Sequence, residues 1–284
     1  MIAPWKIFMG LLALTLVPMQ QDAKAEENQR RLFVSILPQK FFVEKIASPE
    51  FEVEALVGPG QSPATFDPSP RKMSRLAEAK ALLPIGVPFE TAWLPKIRKG
   101  MPDLLILEVS APPGHRHVHG DEGELDPHFW TSPIESIEMA LRIRDALVRL
   151  APEHTVVFMQ RCEALIGEIE ALDVDITELF ANSERQRFMV FHPAWGHFAE
   201  HYGLTQIAIE REGKEPGARA LAASVELAKD LGIETIFIQE QFSRDGALAV
   251  ARAAGAKLVS LDPLAENYLV NLRVSAIAIE EALR

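Results

Sequence analysis

The feature that most constrains the fold of this chain is a regular alternation between short β-rich apolar runs and segments with helical periodicity. In the first part of the chain, four apolar runs predict strands at 32–37, 51–57, 81–85 and 104–109. The segments between them predict helices at 39–46, 71–79 and 89–98. The alternation returns later with predicted strands at 188–191, 205–209, 235–238 and 257–261, and predicted helices at 221–231, 246–254 and 269–283. Strands separated by helices indicate parallel sheets that are covered on both faces.

Between the two alternating regions the pattern becomes purely helical. Residues 133–150 and 153–180 repeat apolar positions on one helical face. We therefore predict an α/β fold in which two parallel-sheet lobes are joined by a long helix. The predicted division is an N-terminal lobe at 26–132, a helical connector at 133–184 and a C-terminal lobe at 185–284.

Residues 1–25 have the pattern of a removable secretory signal peptide. Lys6 precedes the apolar run 7–19, and Ala23-Lys24-Ala25 is a small-x-small cleavage pattern. The run is shorter than the roughly 20 residues that a membrane-spanning helix needs, and we expect no later span. The single cysteine, Cys162, excludes a disulfide framework and is far from the cleavage pattern. We expect a periplasmic protein without a lipid anchor.

Charge and a histidine-rich segment both indicate a metal cation as the partner. With 29 basic and 40 acidic residues the net charge is -11, which favours cations and makes a nucleic-acid partner unexpected. Residues 114–128 read GHRHVHGDEGELDPH and hold four of the eight histidines beside four carboxylates. Imidazole and carboxylate together suit a divalent ion such as zinc. The alternative is a solvated polar loop.

Three further residues lie where a binding crevice is expected. In open parallel sheets the loops after the carboxyl ends of strands form that crevice. His192 directly follows the predicted strand ending at Phe191, and Asp262 follows the one ending at Leu261. His128 stands in Asp-Pro-His where the first lobe ends. These positions predict that the three side chains share one cleft.

The chain resembles the periplasmic solute-binding proteins of zinc and manganese ABC transporters, a family that includes zinc-uptake binding proteins and lipoprotein adhesins. The resemblance covers the whole mature chain through ordered motifs, namely ILPQKFFVEKIA at 36–47, GPGQSPATFDPSP at 58–70, DPHFWTSP at 126–133, FHPAWGHFAEHYGL at 191–204 and LDPLAENY at 261–268. It implies two α/β lobes on one long rigid helix, with a metal in the cleft. It also implies delivery to an inner-membrane ABC permease that works with an ATPase.

The resemblance further implies a ligand set. His128 and His192 correspond to metal ligands and Asp262 to the acidic one. Histidine rather than glutamate at position 192 resembles the zinc-type members, so Zn²⁺ is expected, with Mn²⁺ as the alternative ion. The histidine-rich loop lies before the DPH motif in the family as well, and we expect His115, His117 and His119 to act as auxiliary zinc ligands there. We expect a monomer.

One position departs from the family pattern. Where the family has a histidine in a context like SPHTFEP, this chain has Ala64 in Ser-Pro-Ala-Thr-Phe-Asp-Pro. Alanine has no ligand atom, so the fourth metal position falls to water, a histidine of the loop, Asp67 or Glu210. A zinc site with three protein ligands and one open position is chemically sound.

Two other functions compete with transport. Residues 197–201 read His-Phe-Ala-Glu-His, which matches the H-x-x-E-H pattern of inverted zinc peptidases. Three fixed positions are a weak signal, and we interpret the segment as a short surface helix in a binding protein that is not an enzyme. The second alternative is a periplasmic zinc buffer or scavenger that works without a transporter.

Overall fold

The computed structural model describes residues 30–110, 118–119, 124–183, 185–210, 216–242 and 244–284. The predicted signal peptide at 1–25 lies outside these residues. No helix of the described part is both long enough and apolar enough to cross a membrane.

The N-terminal lobe is built on a four-stranded parallel sheet. Its strands are β1 (Arg31–Val34), β2 (Glu52–Ala55), β3 (Ala81–Leu83) and β4 (Leu105–Ile106). They lie in the spatial order β2-β1-β3-β4. The connections contain helices α1 (Leu37–Ala47), α2 (Pro70–Ala77) and α3 (Pro88–Gly100). The two central strands are fully buried, as expected for strands covered by helices on both faces.

A short hairpin and two long helices follow. Strands β5 (Val118–His119) and β6 (Glu124–Leu125) pair antiparallel. Helix α4 (Pro133–Leu150) starts with a proline in its first turn, where the missing N–H costs nothing. Helix α5 (Thr155–Phe180) buries one stripe of its surface, formed by Phe158, Cys162, Leu165, Ile169, Leu172, Ile176 and Phe180. It packs along α4 and against α1 of the N-terminal lobe.

The C-terminal lobe repeats the parallel arrangement. Its strands are β7 (Arg187–Val190), β8 (Thr205–Ala208), β9 (Thr235–Ile238) and β10 (Lys257–Ser260), in the spatial order β10-β9-β7-β8. Its helices are α6 (Gly196–His201), α7 (Ala218–Asp230), α8 (Arg244–Ala254) and α9 (Tyr268–Leu283). Helix α9 packs against α5 and β7, so the long connector helix is held by both lobes.

Contacts between the lobes close one side of the molecule. The Tyr268 ring lies 4.8 Å from that of Phe42, and its hydroxyl donates to Ser136 Oγ at 2.7 Å. Burial of this hydroxyl raises the pKa of Tyr268 well above its usual range. Lys40 forms an ion pair with Glu266 across the same boundary. One apolar core therefore runs from the first sheet through the connector to β7.

The predicted fold is confirmed: two parallel-sheet α/β lobes are joined by a long helix. Strand Thr235–Ile238 and helix Pro133–Leu150 have the predicted bounds. The prediction of strand at 35–37 is wrong, because helix α1 already begins at Leu37 with a proline in its first turn. Within 114–128 the described residues form the short ladder of β5 and β6, which needs only backbone hydrogen bonds. The lobe boundaries stay predictions.

Candidate metal centre

His192 is positioned by the register of the C-terminal sheet. Strand β7 pairs with β8 so that Val190 lies opposite Ala208, and it pairs with β9 so that Val190 also lies opposite Phe237. Two residues beyond these pairs, His192 stands between Glu210 and Gln239. Gln239 Oε1 accepts from His192 N at 3.4 Å, and Gln239 Nε2 donates to His192 O at 2.9 Å. The backbone of His192 is thus clamped at the carboxyl edge of the sheet.

The His192 ring is held on two sides. Its Nδ1 lies 2.9 Å from Glu210 Oε2, and the Glu210 side chain is only 2% exposed. The ring of Phe242 stacks on the imidazole at a centroid distance of 4.4 Å and an angle of 24°. An ionised carboxylate can only accept hydrogen bonds, so this contact favours the neutral tautomer with its proton on Nδ1. In that tautomer the free lone pair of the ring is on Nε2.

His128 is oriented by a tight turn of the Asp-Pro-His motif. Asp126 Oδ1 accepts from His128 N at 2.9 Å and lies 2.6 Å from His128 Nδ1. Asp126 is 3% exposed. The neighbouring Trp130 ring lies 5.3 Å from the imidazole and donates its Nε1–H to Pro263 O at 2.7 Å, so this turn is fixed against the C-terminal lobe. The Nε2 lone pair is again the one available to a metal.

The two predicted histidines come together from different elements. Their ring centroids are 5.3 Å apart with an angle of 80° between the rings. Each has its Nδ1 against a buried carboxylate, the arrangement that raises ligand basicity and fixes ring orientation in zinc sites. Two such nitrogens facing one space suit a borderline divalent ion.

Both rings line a cavity of about 470 Å³ between the lobes. We call residues 62–65 and 86–88 the N-terminal wall, since they come from loops of the first lobe. The C-terminal wall consists of His192, Pro193, Gln241, Phe242, Pro263 and Leu264. Pro127, His128 and Trp130 lie between the two walls. Ala64 is part of the N-terminal wall, so the first loop does reach the cleft at the position where the family pattern has histidine.

Asp262 lies behind the C-terminal wall and is not a lining residue of the cavity. Its Oδ1 accepts from Gln241 Nε2 at 2.8 Å and from Leu264 N at 2.9 Å. Within the described part of the chain, no group of three His, Cys, Asp or Glu side chains is placed to share one metal ion. The structure therefore brings His128 and His192 together, whereas Asp262 holds Gln241, a residue that lines the same cavity.

The structure places the candidates for the fourth metal ligand in different surroundings. Asp67 is exposed and does not line the cavity. Glu210 supports His192 from behind rather than facing the cavity. His115 and His117 lie outside the described residues, and of His119 only the backbone in β5 is described.

The N-terminal wall is shaped by a buried carboxylate. Glu90 Oε1 accepts from Ser35 Oγ at 2.5 Å and from Ile85 N at 3.0 Å, while Oε2 accepts from Gly86 N at 2.8 Å. Gly86 has a φ of 98°, which favours glycine. Burial raises the pKa of Glu90, against these hydrogen bonds, which lower it. Glu90 thus fixes the loop at 85–87 from the side away from the cavity.

The H-x-x-E-H segment is not arranged as a zinc pair. His197 is 2% exposed, so the prediction of a surface position is wrong for it. Its Nδ1 lies 2.6 Å from Glu135 Oε2, and its Nε2 lies 3.1 Å from Asp126 O. His201 instead pairs with Asp173 Oδ1 at 2.7 Å. Since both nitrogens of His197 are engaged by protein oxygens, this helix serves as an anchor to the connector.

Sequence reasoning missed the supporting groups. It did not single out Asp126 or Gln239, and it considered Glu210 only as a ligand. The spacing of Asp126 two residues before His128 was a usable signal, since Asp often bonds its own backbone two residues on. The pairing of Glu210 with His192 depends on which strands are neighbours in the sheet. This spatial order cannot be read from the sequence.

Comparisons with known proteins identify the family of the chain. A family model described as the zinc-uptake complex component A, periplasmic, matches residues 32–282. The zinc-binding lipoprotein AdcA of Streptococcus pneumoniae is 29% identical over 298 aligned positions, which cover 96% of this chain and 59% of that protein. The chain therefore spans little more than half of that relative. The expected absence of a lipid anchor gains no support from a relative that is named a lipoprotein.

Two further matches cover nearly the whole length of both chains. A putative metal-binding protein of Chlamydia trachomatis is 26% identical, with 88% of this chain and 91% of that protein covered. A crystal structure of ZnuA superimposes with a TM-score of 0.86 at 32% identity, and covers 90% of this chain and 100% of that one.

Proposed function

This chain belongs to the zinc-uptake complex component A family, and we propose that it captures a divalent cation, zinc above all, in the cleft between its lobes. We further propose that it works in the periplasm and delivers the ion to an ABC permease and its ATPase in the inner membrane. Its role is binding and delivery rather than catalysis, and it acts as a monomer.

The observation that carries this proposal is the pair of oriented imidazoles. His128 and His192 come from separate elements, lie 5.3 Å apart and each have a buried carboxylate on Nδ1. A carboxylate on Nδ1 fixes the orientation of each ring and leaves Nε2 for the metal, as in zinc sites. The names of the relatives support the choice of zinc, since the pneumococcal protein is a zinc-binding one.

The proposed ligand set keeps the three residues predicted from the sequence. His128 and His192 bind through Nε2. Asp262 is the acidic member, and since its Oδ1 is committed to Gln241 and Leu264, a direct bond to the ion uses Oδ2. Asp126 and Glu210 stand behind the imidazoles and supply negative charge without occupying ligand positions.

Release follows from the same chemistry. A histidine must be neutral to bind zinc, so zinc affinity falls at acid pH as protons compete with the ion for the imidazoles. The lobes are joined by contacts on the connector side, including Tyr268 with Ser136 and Trp130 with Pro263. Small loop movements at the cavity are therefore the proposed response to the ion, with His115, His117 and His119 collecting zinc near it.

Thermal unfolding of residues 26–284 with and without added metal tests the proposal. A ligand that binds only the native state stabilises it by about 2.7 kcal/mol at a hundredfold excess over Kd. We expect Tm to rise by several degrees with zinc and less with manganese. No rise with any first-row divalent ion would contradict metal binding. Hydrolysis of a peptide mixture by the zinc-loaded protein would instead favour the peptidase hypothesis.

Transport and buffering are separated in cells. In a strain lacking the gene, we expect uptake of radioactive zinc at scarce supply to fall and to be restored by the gene. A pure buffer would leave the initial uptake rate unchanged and alter only zinc tolerance.

A further inference from the structure

The cavity has more room than a lone ion held by its walls requires. Its volume is about 470 Å³. A water molecule takes roughly 30 Å³ of liquid, whereas pockets for small organic ligands begin near 300 Å³. Among the described residues that line it, His128 and His192 are the only ones with imidazole, thiolate or carboxylate donors. Donor atoms are therefore scarce in a space large enough for an organic molecule.

The N-terminal wall brings little bulk and no metal ligand to the cavity. Ala64 presents only a methyl group there, beside Ser62 and Thr65. The remaining surface is largely apolar and aromatic, as organic-ligand pockets are. It includes Val87, Trp130, Phe242 and Leu264.

The polar groups on this surface are few and oriented. Gln241 lines the cavity, and the carboxylate of Asp262 fixes its amide, because only the NH₂ group can donate to that oxygen. Its Oε1 is buried and has no hydrogen-bond partner among the described residues. The Gln241 amide is therefore an oriented polar group of the wall, but its buried oxygen is not an acceptor that faces the cavity.

We propose, building on the proposed function, that the cargo is a zinc ion carrying one α-amino acid, whose amine nitrogen and carboxylate oxygen complete the coordination begun by His128 and His192. In this complex the carboxylate oxygen of the amino acid takes the position that Asp262 Oδ2 occupies on the ion alone. Zinc then has the four ligands that it prefers, namely two imidazole nitrogens, one amine nitrogen and one carboxylate oxygen. The side chain of the amino acid occupies the apolar room beside Ala64.

The charges near the site select this class of chelator. Asp126 and Glu210 lie behind the two histidines, and Asp262 lies behind Gln241. These carboxylates already balance the charge of a divalent ion. An α-amino acid adds one negative charge on binding, whereas a polycarboxylate adds two or three and is repelled.

Calorimetric titration of residues 26–284 compares zinc alone with zinc in excess L-phenylalanine. In solution the amino acid lowers free zinc, so a site for the bare ion would show weaker apparent binding. We expect apparent affinity to rise instead, by about tenfold or more. N-acetyl-L-phenylalanine, which has lost the amine donor, is the matched control and should give no rise. Native mass spectrometry should show protein, zinc and amino acid in one complex.

Two variants at one position test where the amino acid lies. Ala64→Leu fills the room with carbon and should abolish the gain from L-phenylalanine, while Ala64→Ser should keep it. The affinity for zinc alone is measured in each variant, and the gain from L-phenylalanine is expressed relative to that value.

The outcomes separate this inference from the function on which it rests. Tight binding of zinc alone, with L-phenylalanine acting only as a competitor, would overturn the amino-acid proposal and leave zinc capture intact. The same holds if replacing His115, His117 and His119 by Ala abolishes tight binding of zinc alone, since the loop would then complete the site. Absence of zinc binding under all conditions would overturn both.

Discussion

The two walls of the cleft differ in the side chains that they contribute to the candidate metal site. The C-terminal wall carries His192 with three supports, namely the Glu210 carboxylate, the Gln239 amide and the Phe242 ring. The N-terminal wall, residues 62–65 and 86–88, adds no His, Cys, Asp or Glu to the lining that the structure describes. Its one buried carboxylate, Glu90, holds the loop from behind. In the proposed site the C-terminal wall and the His128 turn therefore supply the imidazole ligands, and the N-terminal wall sets the room around them.

The largest expected effect comes from removing a ligand. His192→Ala should weaken zinc binding by roughly 100-fold or more, because supporting groups alone account for 10- to 100-fold at comparable sites. Thr65→Ala on the N-terminal wall is the matched control and should change affinity less than about threefold. Competition titration against a zinc chelator measures both. Equal losses in the two variants would remove the distinction between the walls.

The second prediction separates two contributions of Glu210 to zinc affinity, namely its negative charge and its orientation of the His192 ring. Glu210→Gln keeps an oxygen that accepts from Nδ1 and loses the negative charge, whereas Glu210→Ala loses both. We expect weakening of about 10-fold for Gln and towards 100-fold for Ala. Glu226→Gln removes an exposed carboxylate of the same lobe and should leave zinc affinity unchanged. Identical affinities in the parent and both Glu210 variants would assign Glu210 to packing alone.

The features of the fold and of the candidate site that depend on residues close in sequence could be predicted from the sequence. Strand Thr235–Ile238 and helix Pro133–Leu150 have the predicted bounds, because local apolar patterns and a proline define them. The sequence also predicts that His128 and His192 share one cleft, since His128 stands at the end of the first lobe and His192 directly follows a strand.

The rest depends on neighbours that are distant in sequence. Glu210 meets His192 only because β8 lies beside β7, and Gln241 meets Asp262 because β10 lies beside β9. The strand pattern alone does not give this spatial order. For the same reason, the burial of His197 against Glu135 could not be read from a five-residue motif.

A gain of function on the N-terminal wall is the third prediction. Ala64 lines the cavity that contains both histidines, so Ala64→His places a third imidazole beside the ion. Replacing water or a dissociable ligand by a fixed protein ligand should tighten the binding of zinc alone by about tenfold. It should also slow zinc release, which stopped-flow exchange with a chelator measures. Ala64→Gln, of similar size and with a poorer donor, is the control. Unchanged affinity in folded Ala64→His would mean that the first loop does not approach the ion.

The smallest expected effect concerns how the C-terminal wall is anchored to the connector. His197 lies on α6, the helix that follows His192 in the chain. Its ring pairs with Glu135 on α4. Burial lowers the pKa of His197, but Glu135 and Asp126 outweigh it, so the pKa is raised from its ordinary value. The protonated imidazole therefore stabilises the folded state. That contribution is complete below the unfolded pKa of about 6.5 and is lost as pH rises through the folded value.

Thermal unfolding of the metal-free parent and of His197→Gln across pH 5.5 to 9 tests this anchor. The variant keeps a polar side chain of similar length but cannot become charged. We expect the Tm advantage of the parent to be greatest at the acid end and to shrink by a few degrees towards alkaline pH, since 1 kcal/mol is worth about 2–4 °C for a chain of this size. A constant gap between parent and His197→Gln would mean that the pair with Glu135 acts through packing alone, and that the C-terminal wall is anchored no differently from the N-terminal one.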